Sequence, residues 1–169
     1  SPNPPTRIVH YALRASGTAH GLAGDNTGHG THVSGSVLVA GGLSASVLKA
    51  PGSGTAPYRT NQFAGMAHEA RLVMIEDFNG FSYEEQVSIA YSEGARLSNN
   101  SWGNSLIPYS AGSAIWDALV RDADTNQVGR QEFIAFFAAG NSGNGNDDGG
   151  GATANTIGAP GNSKNVITV

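Results

Sequence analysis

The chain of 169 residues has no cysteine, which removes a disulfide scaffold, a thiolate metal site and a cysteine nucleophile. Charge is scarce as well. Asp, Glu, Lys and Arg make up 13% of the residues and the net charge is −4, so neither nucleic acid nor an anionic membrane has electrostatic footing as a partner. No apolar run approaches the length of a membrane span, no internal repeat is visible, and nothing at Ser1 resembles a signal peptide. The low charge does not imply disorder. Hydrophobic residues reach 39%, whereas disorder goes with high charge and low hydrophobicity. The length allows one domain with a real core.

Glycine is plentiful instead: 24 residues, clustered over 21–30, 41–54 and 140–151. Glycine serves where backbone approaches a ligand or takes positive φ, and it also simply loosens loops. Between the clusters lie regular elements. Residues 7–13 alternate weakly and read as a short strand, and 14–28 as loop. Residues 29–39 read as a helix with Thr27 as N-cap, and 40–63, rich in Gly, Ser, Ala and Pro, as an irregular insertion. Residues 71–75 suit a buried strand. Ser82 and Glu85 have capping-box spacing before a helix that runs to Glu93, where Gly94 stops it. Residues 97–100 form the next strand, 111–123 a helix with Ile115, Trp116, Leu119 and Val120 on one face, 133–138 a dense apolar strand, and 166–169 the start of another. Strands alternating with helices of this length argue for an α/β domain with a parallel sheet. In such sheets sites form beyond the carboxyl ends of strands, where residues 100–103 and 139–143 fall.

Chemistry concentrates at three places. His29 stands between Gly28 and Gly30 in Asp25-Asn-Thr-Gly-His-Gly-Thr-His32. An imidazole at the first turn of a helix with no bulky neighbour is open to substrate and rigidly carried, as a general base requires. His32, three residues on, also permits a shared metal site. However, His68-Glu69 does not complete His-Glu-x-x-His, because position 72 is leucine, so His32 is expected to be a packed, hydrogen-bonded helix residue. His10, His20 and His68 have no informative context. Asn141 follows Phe136-Phe-Ala-Ala139-Gly140; an amide at a strand end can donate to a developing oxyanion or simply shape a turn. Ser101-Trp102-Gly103 offers exposed strand backbone for an extended peptide beside a large apolar wall, or else Trp102 packs in the core.

These segments resemble, in order, motifs of the subtilisin-like serine proteases (subtilases). Gly28-His-Gly-Thr-His-Val33 is similar to the family's histidine motif, Ser101-Trp102-Gly103 to its cleft-lining strand (with Trp102 where leucine is often found), and Phe137-Ala-Ala139-Gly140-Asn141 to its oxyanion segment. Gly158-Ala159-Pro160 resembles part of its specificity pocket. The resemblance implies a parallel sheet with helices on both faces, and makes His29 the base for a serine hydroxyl and Asn141 the oxyanion donor. Peptide or protein is then the substrate, and a secreted or extracellular location is expected. No cofactor is required for chemistry. Structural calcium is an option with ligands unassigned, and the acidic run 144–149 is a candidate loop without the glutamate and exiting helix of an EF-hand. Ser142, in Gly-Asn-Ser-Gly, looks like the nucleophile loop of trypsin-like proteases, but those are double β-barrels. Neither Asp25 nor Asp77 matches the triad aspartate, and Gly-Thr-Ser-x-Ala, the family's serine motif, does not occur. Residues 1–169 are therefore expected to be the central part of one peptidase domain, truncated at both ends and inactive alone. A catalytically dead peptide-binding relative is the alternative.

Overall fold

A computed structural model describes residues 8–12, 25, 27–75, 80–104, 108–146, 148 and 150–169. Its contacts divide the chain into two units: Ser1–Val9 with Ser16–Leu72, and His10–Ala15 with Val73–Val169.

The second unit is built on a parallel sheet in the order β3 (Leu97–Asn100), β4 (Ile134–Phe137), β5 (Ile167–Thr168). Leu97 pairs with Ile134, Asn100 with Phe137, and Phe136 with Ile167. A separate two-stranded sheet joins β1 (Ile8–Ala12) and β2 (Leu72–Ile75). Successive strand residues point to opposite faces. On one face of β4, Phe133, Ala135 and Phe137 are buried against α2 (Tyr83–Ser92) and α3 (Ala111–Leu119), through Val87, Ala90, Trp116 and Leu119. On the other, Leu97, Ile134 and Ile167 are about half exposed. Trp116 is the hub of the packed face. Its ring meets Phe137 edge-on at 4.9 Å and Tyr83 at 5.8 Å, and its indole N–H is buried without a hydrogen-bond acceptor among the described residues.

Helix α2 begins as its sequence dictates. Ser82 Oγ accepts the Glu85 N–H at 3.2 Å, and the Glu85 carboxylate accepts the Ser82 N–H at 2.8 Å, so two of the orphan donors at the helix start are satisfied reciprocally. It ends at Gly94, where the Gly94 N–H donates to Tyr91 O and the Ala95 N–H to Ala90 O. Helix α3 is shorter than its pattern. The apolar spacing continues to Ala123, but past Leu119 the chain turns and the Ala123 N–H pairs with Gln131 O, committing the backbone to the turn that feeds β4.

The first unit carries α1 (His29–Leu38) and a one-turn 3₁₀ helix, Ser44–Ser46, within an otherwise irregular stretch. No residue of α1 is buried. Its last turn is held by backbone: Met66 N–H donates to Ser36 O, Ala67 N–H to Val37 O, and Gly65 N–H to Val39 O just past the helix. Gly65 is required there because an added Cβ would lie 2.5 Å from Leu38 N and 2.7 Å from Val37 C.

Candidate active site

The start of α1 departs from the expected cap. The N-cap is Gly28, not Thr27, and its φ of 75° is left-handed, a conformation that favours glycine. A glycine cap has no side chain to offer the first N–H groups, and Asp25 supplies the acceptor from three residues upstream. Its Oδ1 accepts the Gly28 N–H at 2.8 Å and the Thr27 N–H and hydroxyl at 3.1 Å each, while Oδ2 accepts the Thr31 N–H at 2.7 Å. Thr27 Oγ1 takes the His29 N–H at 3.3 Å. These bonds, the one from Thr31 foremost, hold the Asp25 carboxyl well below the usual carboxylate range. Asp25 is thus committed to backbone. His29 is the first residue of α1, exposed, with an imidazole that makes no hydrogen bond among the described residues. His32 is likewise exposed rather than packed, which corrects the expectation for it: like His29 it lies on the uncovered first turn of α1, ahead of the partly buried positions that start at Val33. Among the described residues no three His, Asp or Glu side chains converge as a metal site would need.

In the second unit, the carboxyl ends of β3 and β4 open into a cleft of about 190 Å³, walled by residues 101–104, 138–142, Thr156 and Gly158. Backbone bonds fix these walls to one another. The Ala138 N–H donates to Asn100 O, the Ala139 N–H to Val169 O, and the Asn104 N–H to Ala159 O at 2.8 Å. The nearly buried Asn100 braces the strand ends by donating to Ser98 Oγ at 2.8 Å and Phe136 O at 3.1 Å. Trp102 stands half-buried between cleft and core, stacked on Tyr83 at 5.6 Å and edge-on to Phe137 at 5.2 Å. Asn141 is exposed, and its amide makes no hydrogen bond among the described residues. The wall bearing Gly158 is tied to α3. Ser113 Oγ donates to Asn162 Oδ1 at 2.7 Å, the Ser163 hydroxyl donates to Pro160 O and Ser113 O, and Asp117 Oδ1 accepts the Asn165 N–H at 2.7 Å.

A model of the subtilase family (Peptidase_S8) matches residues 14–169. The chain belongs to the subtilase family. No curated protein matches it. The α/β fold with its parallel sheet agrees with this membership, and the family's activity is serine-type peptide hydrolysis, with peptides and proteins as substrates.

Seven residues of this subtilase singled out by sequence come together in the one cleft: Ser101, Trp102, Gly103, Ala139, Gly140, Asn141 and Gly158. Pro160 does not reach it. It is fully buried behind the wall, where its carbonyl accepts the Ser163 hydroxyl. Thr156 and Asn104 line the cleft and were not anticipated. The strand-end rule that flagged 100–103 extends naturally to Asn104, but nothing in the local sequence marks Thr156. Ser142 also lies on the wall. In the candidate calcium loop Asn144 Oδ1 is already engaged by the Thr153 N–H and hydroxyl. Asp147, like Asp77 and His20, lies outside the described residues.

Proposed function

We propose that this chain is the central part of a single subtilisin-type serine endopeptidase domain, contributing its general base and its oxyanion donor. The triad aspartate and serine belong to sequence beyond residues 1–169. The observation that carries the reading is the cleft at the ends of β3 and β4, where Asn141 stands exposed, its amide without a hydrogen bond among the described residues, beside the strand-end backbone of 101–103.

An extended peptide lies along the 101–103 edge, which supplies main-chain partners as an added strand would find them. The serine hydroxyl attacks the scissile carbonyl, and His29 removes its proton. The Asn141 amide donates to the oxyanion of the tetrahedral intermediate. His29 then returns the proton to the departing amine. A preorganised donor of this kind is worth on the order of 100- to 1000-fold in kcat, a magnitude measured on subtilisin, a relative. Trp102 and Gly158 shape the cleft that receives a substrate side chain. No cofactor takes part in these steps; calcium, if bound, is structural, and secretion is the family's expectation.

In the full-length enzyme, His29→Ala is expected to lower kcat by about 10⁴-fold or more. Asn141→Leu is expected to lower it about 100- to 1000-fold with little change in KM. Both are read by steady-state hydrolysis of a chromogenic peptide. Activity untouched by His29→Ala would overturn the assignment. Residues 1–169 alone are expected to hydrolyse nothing. The missing serine motif favours one competitor, a dead peptide-binding relative, and coding sequence on either side that lacks the aspartate or the serine would establish it.

A further inference from the structure

We propose that Asp25 is a positioning residue for His29: its carboxylate clamps the backbone of residues 27–31 and so fixes where the imidazole leaves the helix. The proposal rests on the reading of His29 as general base.

The need for a clamp follows from the sequence. His29 sits at the first position of α1, where helices fray, and it is flanked by Gly28 and Gly30, the residues least able to hold a backbone in one conformation. Neither has a side chain with which to restrain the turn, and no residue of α1 is fully buried; its partly buried positions, 33–35, 37 and 38, begin a full turn beyond the histidine. A catalytic group nevertheless has to be held within about 0.5 Å of its working position. Asp25 meets the requirement with two oxygens that straddle the histidine. Oδ1 holds the N–H groups of Thr27 and Gly28 before it, and Oδ2 holds the Thr31 N–H after it. A negative charge at a helix N-terminus is also favoured by the aligned peptide dipoles. Among the described residues, Asp25 is the one charged side chain that bonds to the backbone of 27–31.

A clamp predicts graded loss. Asp25→Ala removes both arms. Asp25→Asn keeps one amide oxygen as acceptor and presents an NH₂ group where the second N–H needs one. In the full-length enzyme, Asp25→Ala is expected to lower kcat about 10- to 100-fold, the scale of a misplacement near 1 Å, with KM within twofold and a melting temperature lowered only by the small amount that loss of a helix cap costs. Asp25→Asn should fall between that variant and wild type. The split matters because a merely structural role would reduce the folded fraction and the melting temperature rather than kcat per folded molecule. Amide exchange by NMR on the wild-type enzyme gives a second reading that needs no variant. The Gly28 and Thr31 amides, which a helix start ordinarily leaves unprotected, are expected to be protected. Wild-type kcat in Asp25→Ala, or free exchange at both amides, would overturn the proposal. His29→Ala run alongside separates the two ideas: if it abolishes activity while Asp25→Ala does not, the clamp falls and the base stands, whereas activity in His29→Ala removes the base itself.

Discussion

Around His29 the chain is held by one carboxylate and a handful of backbone bonds, and no residue of α1 is fully buried. Around β4 it is held by eight buried side chains from two helices, a strand and the turn that joins α3 to β4, with Trp116 and Phe137 at the centre. The first arrangement is local: the Asp25 clamp reaches six positions along the sequence. The second joins residues tens of positions apart. Local polar clamps define geometry while burying little area, and apolar cores supply most of the free energy of folding. A proton-transferring side chain that must stay exposed suits the former, and a cleft whose walls come from separate segments needs the latter. The chain's two tryptophans, Trp102 and Trp116, both lie in the second region, so their fluorescence follows that region alone.

Phe137→Ala should strike the comparison hardest. Deleting a fully buried ring is expected to cost about 3–5 kcal/mol, seen as an early transition in denaturant followed by tryptophan fluorescence. A shift near zero would mean that β4 is not the keystone of its region. Next comes Gly65→Ala. Its Cβ would fall on backbone atoms of α1, and overpacking against rigid backbone is expected to cost on the order of 3 kcal/mol. The loss should appear in amide protection of α1 and leave the tryptophan transition nearly unmoved. If both regions report the loss equally, they unfold as one body and the contrast collapses.

The smallest effect concerns pH. Asp25 has a folded-state pKa below its unfolded value of 3.8. Its contribution is therefore complete above about pH 4 and is lost only as pH falls below that, toward the folded value. Amide protection at Gly28 and Thr31 is expected to be the same at pH 7 and pH 5. Loss of protection already at pH 5 would assign the clamp to some other group.

The same contrast explains what the sequence made legible. Periodicity reports burial, so the core-held region could be read almost element by element: the Ser82–Glu85 cap, the stop at Gly94, β3, β4, and the Trp116–Leu119 face of α3. It overran at 120–123 because apolar spacing persists where the backbone has already turned to meet Gln131. Around His29 periodicity says little, and the motif alone marked the residue. Residue type favours Thr27 as cap, but a left-handed φ at residue 28 is a backbone fact that cap preferences do not encode. The role of Asp25 required distances. Pro160 differs from Gly158 for a related reason: nearness in sequence does not specify which of the two lines the cleft and which is buried behind its wall.

Gly65, a crossing point too tight for a side chain, also has a bearing on how this chain tolerates change. Its N–H meets Val39 O, so the stretch between them leaves the helix and returns at nearly one place. Within that stretch Tyr58 is buried, its hydroxyl accepts the Ala50 N–H at 2.8 Å, and its ring packs on Phe63 at 4.9 Å. It is therefore an excursion with its own interior, closed at the neck. Doubling the length of such a loop adds only about 0.6 kcal/mol of closure entropy, and the neck keeps the register of α1 independent of what hangs from it. The exposed tip at 51–55 is accordingly where relatives can diverge in length, or where an engineer can graft a tag, without disturbing the turn that carries His29.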